Sequence, residues 1–351
     1  MKTRISLTAM ALGILALALL TVGCSTDNSQ PKSSLVKEVA DSVGSVFVQS
    51  VLETALVQNA AVVDTVTGEN ADKAVTEIAD MLIIEPYMYA VFDGGVIVYD
   101  FLDKSQKIIR VDDKLEAIAL HDEQIYVAGE NLYTLKEGAL VKEADTFAGT
   151  VTDLFSYDHR LMVGTSNGLY STGIFGKELI YDDIAVTAMT ADGSGLWVGT
   201  DGQGLYRWDG EEFRRRFLDR DTSLFDNVNT LDYNHQHLYV GSVNGLHIFD
   251  GGGWENLGIE DGLPSDNIRS IDASGWVVLV ATDAGVTSYF NGDFMPVKKL
   301  DDKDVAVVKY RKKRIVAASA FDGILYKSGN LLSTIVEPSA TEDAAFTSLA
   351  Q

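Results

Sequence analysis

The stretch LWVGTDGQGLYRWDGEEF, residues 196–213, decides the fold. It reads as an alternating apolar run, a glycine-bearing bend, a second alternating run, then Asp209-Gly210 and an aromatic. That is the pattern of two short strands and the start of a third, joined by tight turns. The stretch is not unique in the chain. LMVGTSNGLY begins at Leu161 and LYVGSVNGLHIFDGGGW at Leu238, and looser versions begin at Met88, Ile125, Val278 and Ile315. Aligned on the apolar residue after the bend, the copies fall at Val96, Leu132, Leu169, Leu205, Leu246, Val286 and Ile324, at intervals of 36, 37, 36, 41, 40 and 38 residues. A near-constant period of this length marks a repeat architecture.

Each unit carries four segments. An alternating run precedes the bend, as in VTDLFSY (151–157), VNTLDYN (228–234) and VAVVKYR (305–311). This is strand A, the LWVGT run is strand B, and GLYRW is strand C. Dipeptides such as Asp209-Gly210 and Asn291-Gly292 then turn into strand D, because they tolerate the positive φ of a tight hairpin. Four antiparallel strands in a repeat of about 40 residues make the blade of a β-propeller. One blade cannot bury both its faces, whereas a closed ring buries them and leaves no long free edge. The expected fold is all-β, a seven-bladed propeller over residues 79–336, in which aromatics such as Trp208, Phe249 and Tyr289 wedge between blades and strand exchange at closure is not required.

Residues 262–294, GLPSDNIRSIDASGWVVLVATDAGVTSYFNGDF, resemble the repeat of the two-component-regulator propeller family, and residues 196–213 match its second half. The resemblance implies a propeller sensor domain that recognises extracellular ligands. No kinase, DNA-binding or transmembrane segment is expected after residue 336, so the expectation is a propeller alone.

The first 23 residues read as a leader. Lys2 and Arg4 precede an apolar run from Ile5 to Val22, and the run ends at Gly23-Cys24, followed by the polar stretch STDNSQPK. Gly23-Cys24 resembles the bacterial lipobox, in which the cysteine is acylated and becomes the mature N-terminus; Thr21 departs from it where Leu is usual. The resemblance implies lipidation (palmitate among the chains) at Cys24, the only cysteine in the chain. It also implies a membrane partner through that anchor. Ser25 after the cysteine implies the outer membrane facing the periplasm, with surface exposure as the variant. Residues 24–34 form a polar tether. Residues 35–78 carry apolar positions at spacings of three and four and predict a short helical segment, with a second helix capped by Asn70 and presenting Ala74, Val75 and Ile78 on one face. Residues 337–351 are expected to form a flexible tail.

A formal charge of −23 excludes nucleic acid as a partner and favours cations or basic surfaces. In a propeller the B–C and D–A loops share one end. That end collects many aspartates and glutamates, whereas the A–B turns carry His121, His159, His237 and Arg311-Lys312-Lys313-Arg314. One strongly acidic and one mildly basic end are therefore expected. The expected ligand or partner contacts are Asp201, Asp221, Asp261 and Asp283, with Phe225 and Leu263 as apolar anchors on the D–A loops at 217–227 and 258–267. His235 and His237 lack a third ligand at recognisable spacing, and DRDTSLFDN from Asp219 lacks the glycine-fixed spacing of an EF-hand loop. No metal, cofactor or catalytic residue is expected. The functional expectation is a lipid-anchored envelope propeller that docks a protein partner or cationic ligand without catalysis, with a sensory role within its range. The alternative is a propeller-fold hydrolase or lyase acting on an envelope substrate, which requires a cluster of His, Asp or Arg at the acidic mouth.

Overall fold

In the computed structural model, the described residues are Val75 and residues 77–173, 176–216, 227–234 and 236–337. They form 28 strands in seven four-stranded antiparallel sheets, each built from four consecutive strands. The innermost strands are β1 (Ile78–Ile84), β5 (Leu115–His121), β9 (Val151–Tyr157), β13 (Val186–Ala191), β17 (Val228–Asn234), β21 (Ile268–Asp272) and β25 (Val305–Arg311). Each packs beside the innermost strand of the next blade, and β25 packs beside β1. This is the seven-bladed propeller the repeat predicts. It closes without strand exchange, since blade 7 keeps its own outer strand β28 (Leu331–Val336). Ile78, expected on a helix face, opens β1 instead, because its alternation with Met81 and Ile83 faces the seam with blade 7. Val75, also expected on that face, is not helical and packs against the same seam, and Glu77 is likewise outside any helix; residues 35–74 and 76 of the expected helical segment, and Cys24, lie outside the described residues.

Seven hydrophobic clusters occupy the seven boundaries between neighbouring blades. The closing seam, with Met81, Met88 and Phe92 against Val307, Val316 and Ile324, is built like the other six. Trp208, Phe249 and Tyr289 pack in the clusters that their blades share with the preceding blade, as wedges.

The Val-Gly-Thr signature has a steric cause. A Cβ on Gly164, Gly199 or Gly241 would lie 2.4, 2.5 or 2.6 Å from Val186, Val228 or Ile268, the first residue of the next innermost strand. The glycine lets that side chain seat against the sheet. The hydroxyl after it closes the B–C loop: Thr165 donates to the Gly168 carbonyl at 3.0 Å and Thr200 to that of Gly204 at 2.6 Å. Asn291 and Gly292 have φ of 51° and 92° and make the expected two-residue turn between Phe290 and Asp293. Asp209-Gly210 departs from expectation. It sits in a four-residue turn between the paired Trp208 and Phe213, where the Asp209 carboxylate accepts the N–H groups of Glu211 and Glu212 at 3.1 and 2.8 Å.

Replacing Gly199 by Ala forces its new methyl into the Cγ1 of Val228. The variant is expected to lose about 1–3 kcal/mol of unfolding free energy, measured by denaturant titration, and an unchanged midpoint would contradict this account of the signature.

Candidate functional site

The innermost strands surround an axial channel with a volume of about 500 Å³. On its axial side, each of these strands has backbone groups that no sheet partner satisfies, and buried N–H groups need acceptors. Side chains from the preceding blade supply them. Asp80 accepts the N–H of Met81 at 2.7 Å and that of Ile118 in blade 2 at 3.1 Å. Asp153 accepts that of Leu154 at 2.8 Å and that of Met189 in blade 4. Asp232 accepts those of Tyr233 and Ala273 at 2.8 and 2.7 Å, and Asp272 those of Ser274 and Tyr310 at 2.9 and 2.8 Å. Each of the four carboxylates thus staples its own strand to the following blade.

A β-bulge follows the first residue of every innermost strand. The bulged residue is re-aimed toward the neighbour, as bulges do. Thr152 donates to the Val186 carbonyl at 2.6 Å, Thr187 to that of Val228 at 2.5 Å and Asn229 to that of Ile268 at 2.8 Å, while Arg269 pairs with Asp304 at 2.8 Å.

The channel's electrostatics follow from burial. Desolvation pushes the Asp80, Asp153 and Asp232 carboxyls up, and the charge of Asp80 adds to the rise at Asp153, which stands well above the ordinary value. Burial pulls the Lys309 ammonium down, but Asp80 at 3.7 Å, Asp272 and Asp232 outweigh it and raise it. Arg311 lies 3.9 Å from Asp272. The sequence reading looked for chemistry on the loops and missed this set. Its signal was present, as charged residues at fixed offsets inside apolar alternation: Asp80, Asp153, Asp232, Asp272 and Lys309.

Antiparallel order puts the B–C and D–A loops at one end of the ring, so Asp201, Asp261 and Asp283 do share an end. Asp201 is exposed. Asp261 is exposed in a one-turn 3₁₀ helix (Ile259–Asp261), and its carboxylate accepts the Gly258 N–H at 2.9 Å. Asp283 accepts from Asn267 at 2.9 Å, and the hydrogen bonds of Ser265 and Asn267 hold its carboxyl below the usual range. Asp113 is buried and accepts the N–H groups of Glu130 and Asn131 at 3.2 and 3.0 Å. Several acids of this end are therefore loop-closing acceptors.

Leu263, expected as an exposed anchor, is only 3% exposed. It plugs the boundary of blades 5 and 6 beside Ile248, Ile268 and Ile271, because the 3₁₀ turn folds the loop back onto the core. The same loop exposes Ile259 instead, and Val243 and Phe321 are exposed at the same end. Asp221, Phe225 and His235 lie outside the described residues. The contrast between the ends is smaller than expected. Asp103, Asp122, Glu123, Asp158, Asp209, Glu211, Glu212 and Asp250 fall on the A–B and C–D turns, and Lys312 there pairs with Glu85. Turn chemistry favours aspartate at both ends. Among the described residues, no group of three His, Cys, Asp or Glu is arranged to hold a metal ion.

No protein-family model matches the chain, and no curated protein does. Solved structures do. The extracellular domain of a hybrid two-component system from B. thetaiotaomicron aligns with a TM-score of 0.62 at 14% identity, over 76% of this chain and 40% of that one. The WD40 propeller domain of Doa1 aligns at 0.57 and 12% identity, over 74% of this chain and 95% of that one. The computationally designed protein Ika8 aligns at 0.54 and 14%, over 73% and 98%. At these identities the likeness is one of fold: the chain carries a seven-bladed β-propeller.

A carboxyl raised in the folded state favours folding at low pH, and that contribution is lost as pH rises through its folded value. The stability of the native protein relative to Asp153→Asn is therefore expected to fall as pH rises from about 4, the ordinary carboxylate value, to neutrality. Thermal unfolding of both proteins across that range measures it, and parallel curves would refute the raised carboxyl.

Proposed function

We propose that the protein is a non-catalytic docking module, held at an envelope membrane by acylation of Cys24, that presents the B–C and D–A end of its ring to a cationic partner protein. The observation that carries this reading is the mixture on that end of exposed acids, Asp201, Glu260, Asp261 and Asp302, with exposed apolar side chains, Val243, Ile259 and Phe321. Carboxylates steer a basic partner and set its orientation, while apolar anchors supply the affinity that exposed charge lacks. The use of all four channel aspartates as acceptors for backbone N–H groups supports a role in holding blades rather than in bond-making. The fold likeness to propellers, one of them the extracellular domain of a two-component system, is consistent with recognition at a ring end. A sensory use and the outer membrane as the site of anchoring belong to the same proposal, as do contacts from Asp221 and Phe225.

Affinity capture from the membrane fraction tests the docking end. Asp201→Asn, Glu260→Gln and Asp302→Asn together should reduce recovery of the partner at low salt and flatten its salt dependence. Phe321→Ser should weaken retention by about tenfold at all salt concentrations. The same partners recovered in unchanged yield from both variants would remove this end as the docking surface.

Anchoring is tested separately. Mass spectrometry of the N-terminal peptide should find an acylated Cys24, and Cys24→Ser should leave the membrane fraction. An unmodified thiol would overturn the lipid anchor while leaving the docking surface untouched.

A further inference from the structure

The A–B and C–D end of the ring changes character at blades 6 and 7. Counted from the first residue of the innermost strand, the ninth place in each blade falls in the A–B turn. It holds Pro86, Glu123, His159, Ser194, Gln236 and Lys313 in six blades, and Trp276 in blade 6. Trp276 is 82% exposed. Val278 and Tyr289 are paired on neighbouring strands of the same blade, so Phe290, 41% exposed, lies at the same end as Trp276. Two aromatic rings thus face water on one blade.

The adjoining turn of blade 7 is basic. Arg311, Lys312 and Lys313 are exposed, and Arg314 is half-buried. Turn geometry does not select lysine here. Lys312 and Lys313 have φ of 47° and 66°, while Asp122-Glu123 and Asp158-His159 make the corresponding turns at 45° and 63° and at 47° and 58°. The turns of blades 6 and 7 are locked together. A Cβ on Gly275 would lie 2.8 Å from the Tyr310 ring, so glycine lets the blade 6 turn lie against it. Arg311 donates to the Ser274 hydroxyl oxygen at 2.8 Å and to the Tyr310 carbonyl at 2.9 Å, and is taken up by this joint. Lys312 pairs with Glu85 of blade 1, yet its side chain stays 72% exposed. A pair so exposed is weak, and Lys312 can exchange Glu85 for another anion.

Exposed tryptophan beside lysine has a physical niche at the surface of a bilayer. The amphipathic indole settles at headgroup level, and a basic residue near an anionic lipid surface strengthens binding by roughly fivefold. The chain's charge of −23 does not forbid this. Beyond about 8 Å, charges are largely screened at physiological salt. Most acids of this end lie on blades 2 to 5, with Asp103 on blade 1 and Asp293 near Phe290. A ring tilted onto blades 6 and 7 holds most of the acids away from the surface.

We propose that this sector of the ring seats on an anionic phospholipid surface, with Trp276 and Phe290 at headgroup level and Lys312 and Lys313 against lipid phosphates. The seating rests on the acyl anchor proposed above, which supplies the proximity that so small a patch needs. Innermost strand β1 begins at the opposite end, and 50 residues (25–74) separate Cys24 from Val75. Fully extended they reach about 165 Å, several times the roughly 23 Å of a seven-residue strand, so the anchor permits this orientation. The docking end then faces away from the bilayer.

The full chain, mixed with vesicles whose acyl chains carry bromine, reports anchor and seating separately. The vesicles are phosphatidylcholine alone or phosphatidylcholine with phosphatidylglycerol. Flotation with the neutral vesicles reads the anchor. Bromine quenching of Trp276, taken as native chain minus Trp276→Phe, reads the seating, because Trp197, Trp208 and Trp254 cancel in the difference. Quenching should be about fivefold or more greater with anionic than with neutral vesicles, and should fall back at 1 M salt, where the screening length is about 3 Å. Lys312→Gln with Lys313→Gln should bring it to the neutral level. The thermal midpoint should not move, since both side chains are exposed and Gln236 occupies the matching turn of blade 5 at φ 68°. Flotation without selective quenching would overturn the seating and leave the anchor. Selective quenching of a chain that does not float with neutral vesicles would support the seating and overturn the anchor. Equal quenching by both vesicles, or selectivity kept by the double Lys variant, would also overturn the seating.

Discussion

Everything in the ring depends on the axial edge of the innermost strands. A strand that faces the axis has no neighbour to pair with on that side, and its unpaired N–H groups stand in partly desolvated surroundings. In this protein the preceding blade answers the need. Asp80, Asp153, Asp232 and Asp272 each accept one N–H from their own chain segment and one from the next blade. The bulged Thr152, Thr187 and Asn229 donate in the same direction to carbonyls. Apolar contact presses the blades together, but it is not directional. The hydrogen bonds are directional and constrain how the blades they join are turned against one another.

That arrangement carries an electrostatic cost. Four aspartates and Glu116 lie around one channel, with Lys309 and Arg311 among the opposing charges. Burial raises Asp80, Asp153 and Asp232, the charges of Asp80 and Asp272 add to the rise at Asp153 and Asp232, and the acidic neighbours of Lys309 raise it despite its desolvation. A channel so committed to architecture leaves recognition to the ends and flanks of the ring, where side chains face water and vary without disturbing the seams.

The two surfaces singled out differ in physics. The loop end offers diffuse charge with separate apolar contacts, which suits a broad protein surface. The turns of blades 6 and 7 at the other end offer exposed aromatic rings beside lysines, which suits a lipid headgroup layer.

The sequence by itself determined the blade count, the four strands of each repeat and the place of closure, because apolar alternation, glycine and turn dipeptides are local properties repeated at a fixed period. It also showed the wedges Trp208, Phe249 and Tyr289. Only the tertiary structure decided what the polar residues do. Leu263 and Ile259 lie four residues apart on one loop, and a single turn of 3₁₀ helix buries the first and exposes the second. Asp261 and Asp283 stood among the expected contacts, and in space their carboxylates also accept the hydrogen bonds that close their loops. The sector of Trp276, Lys312 and Lys313 joins turns from two repeats, and no single copy of the repeat contains it. Hydrogen-bond partners and burial are set by which chain segments meet, and in a ring the decisive meetings are between blades whose equivalent residues stand some forty positions apart.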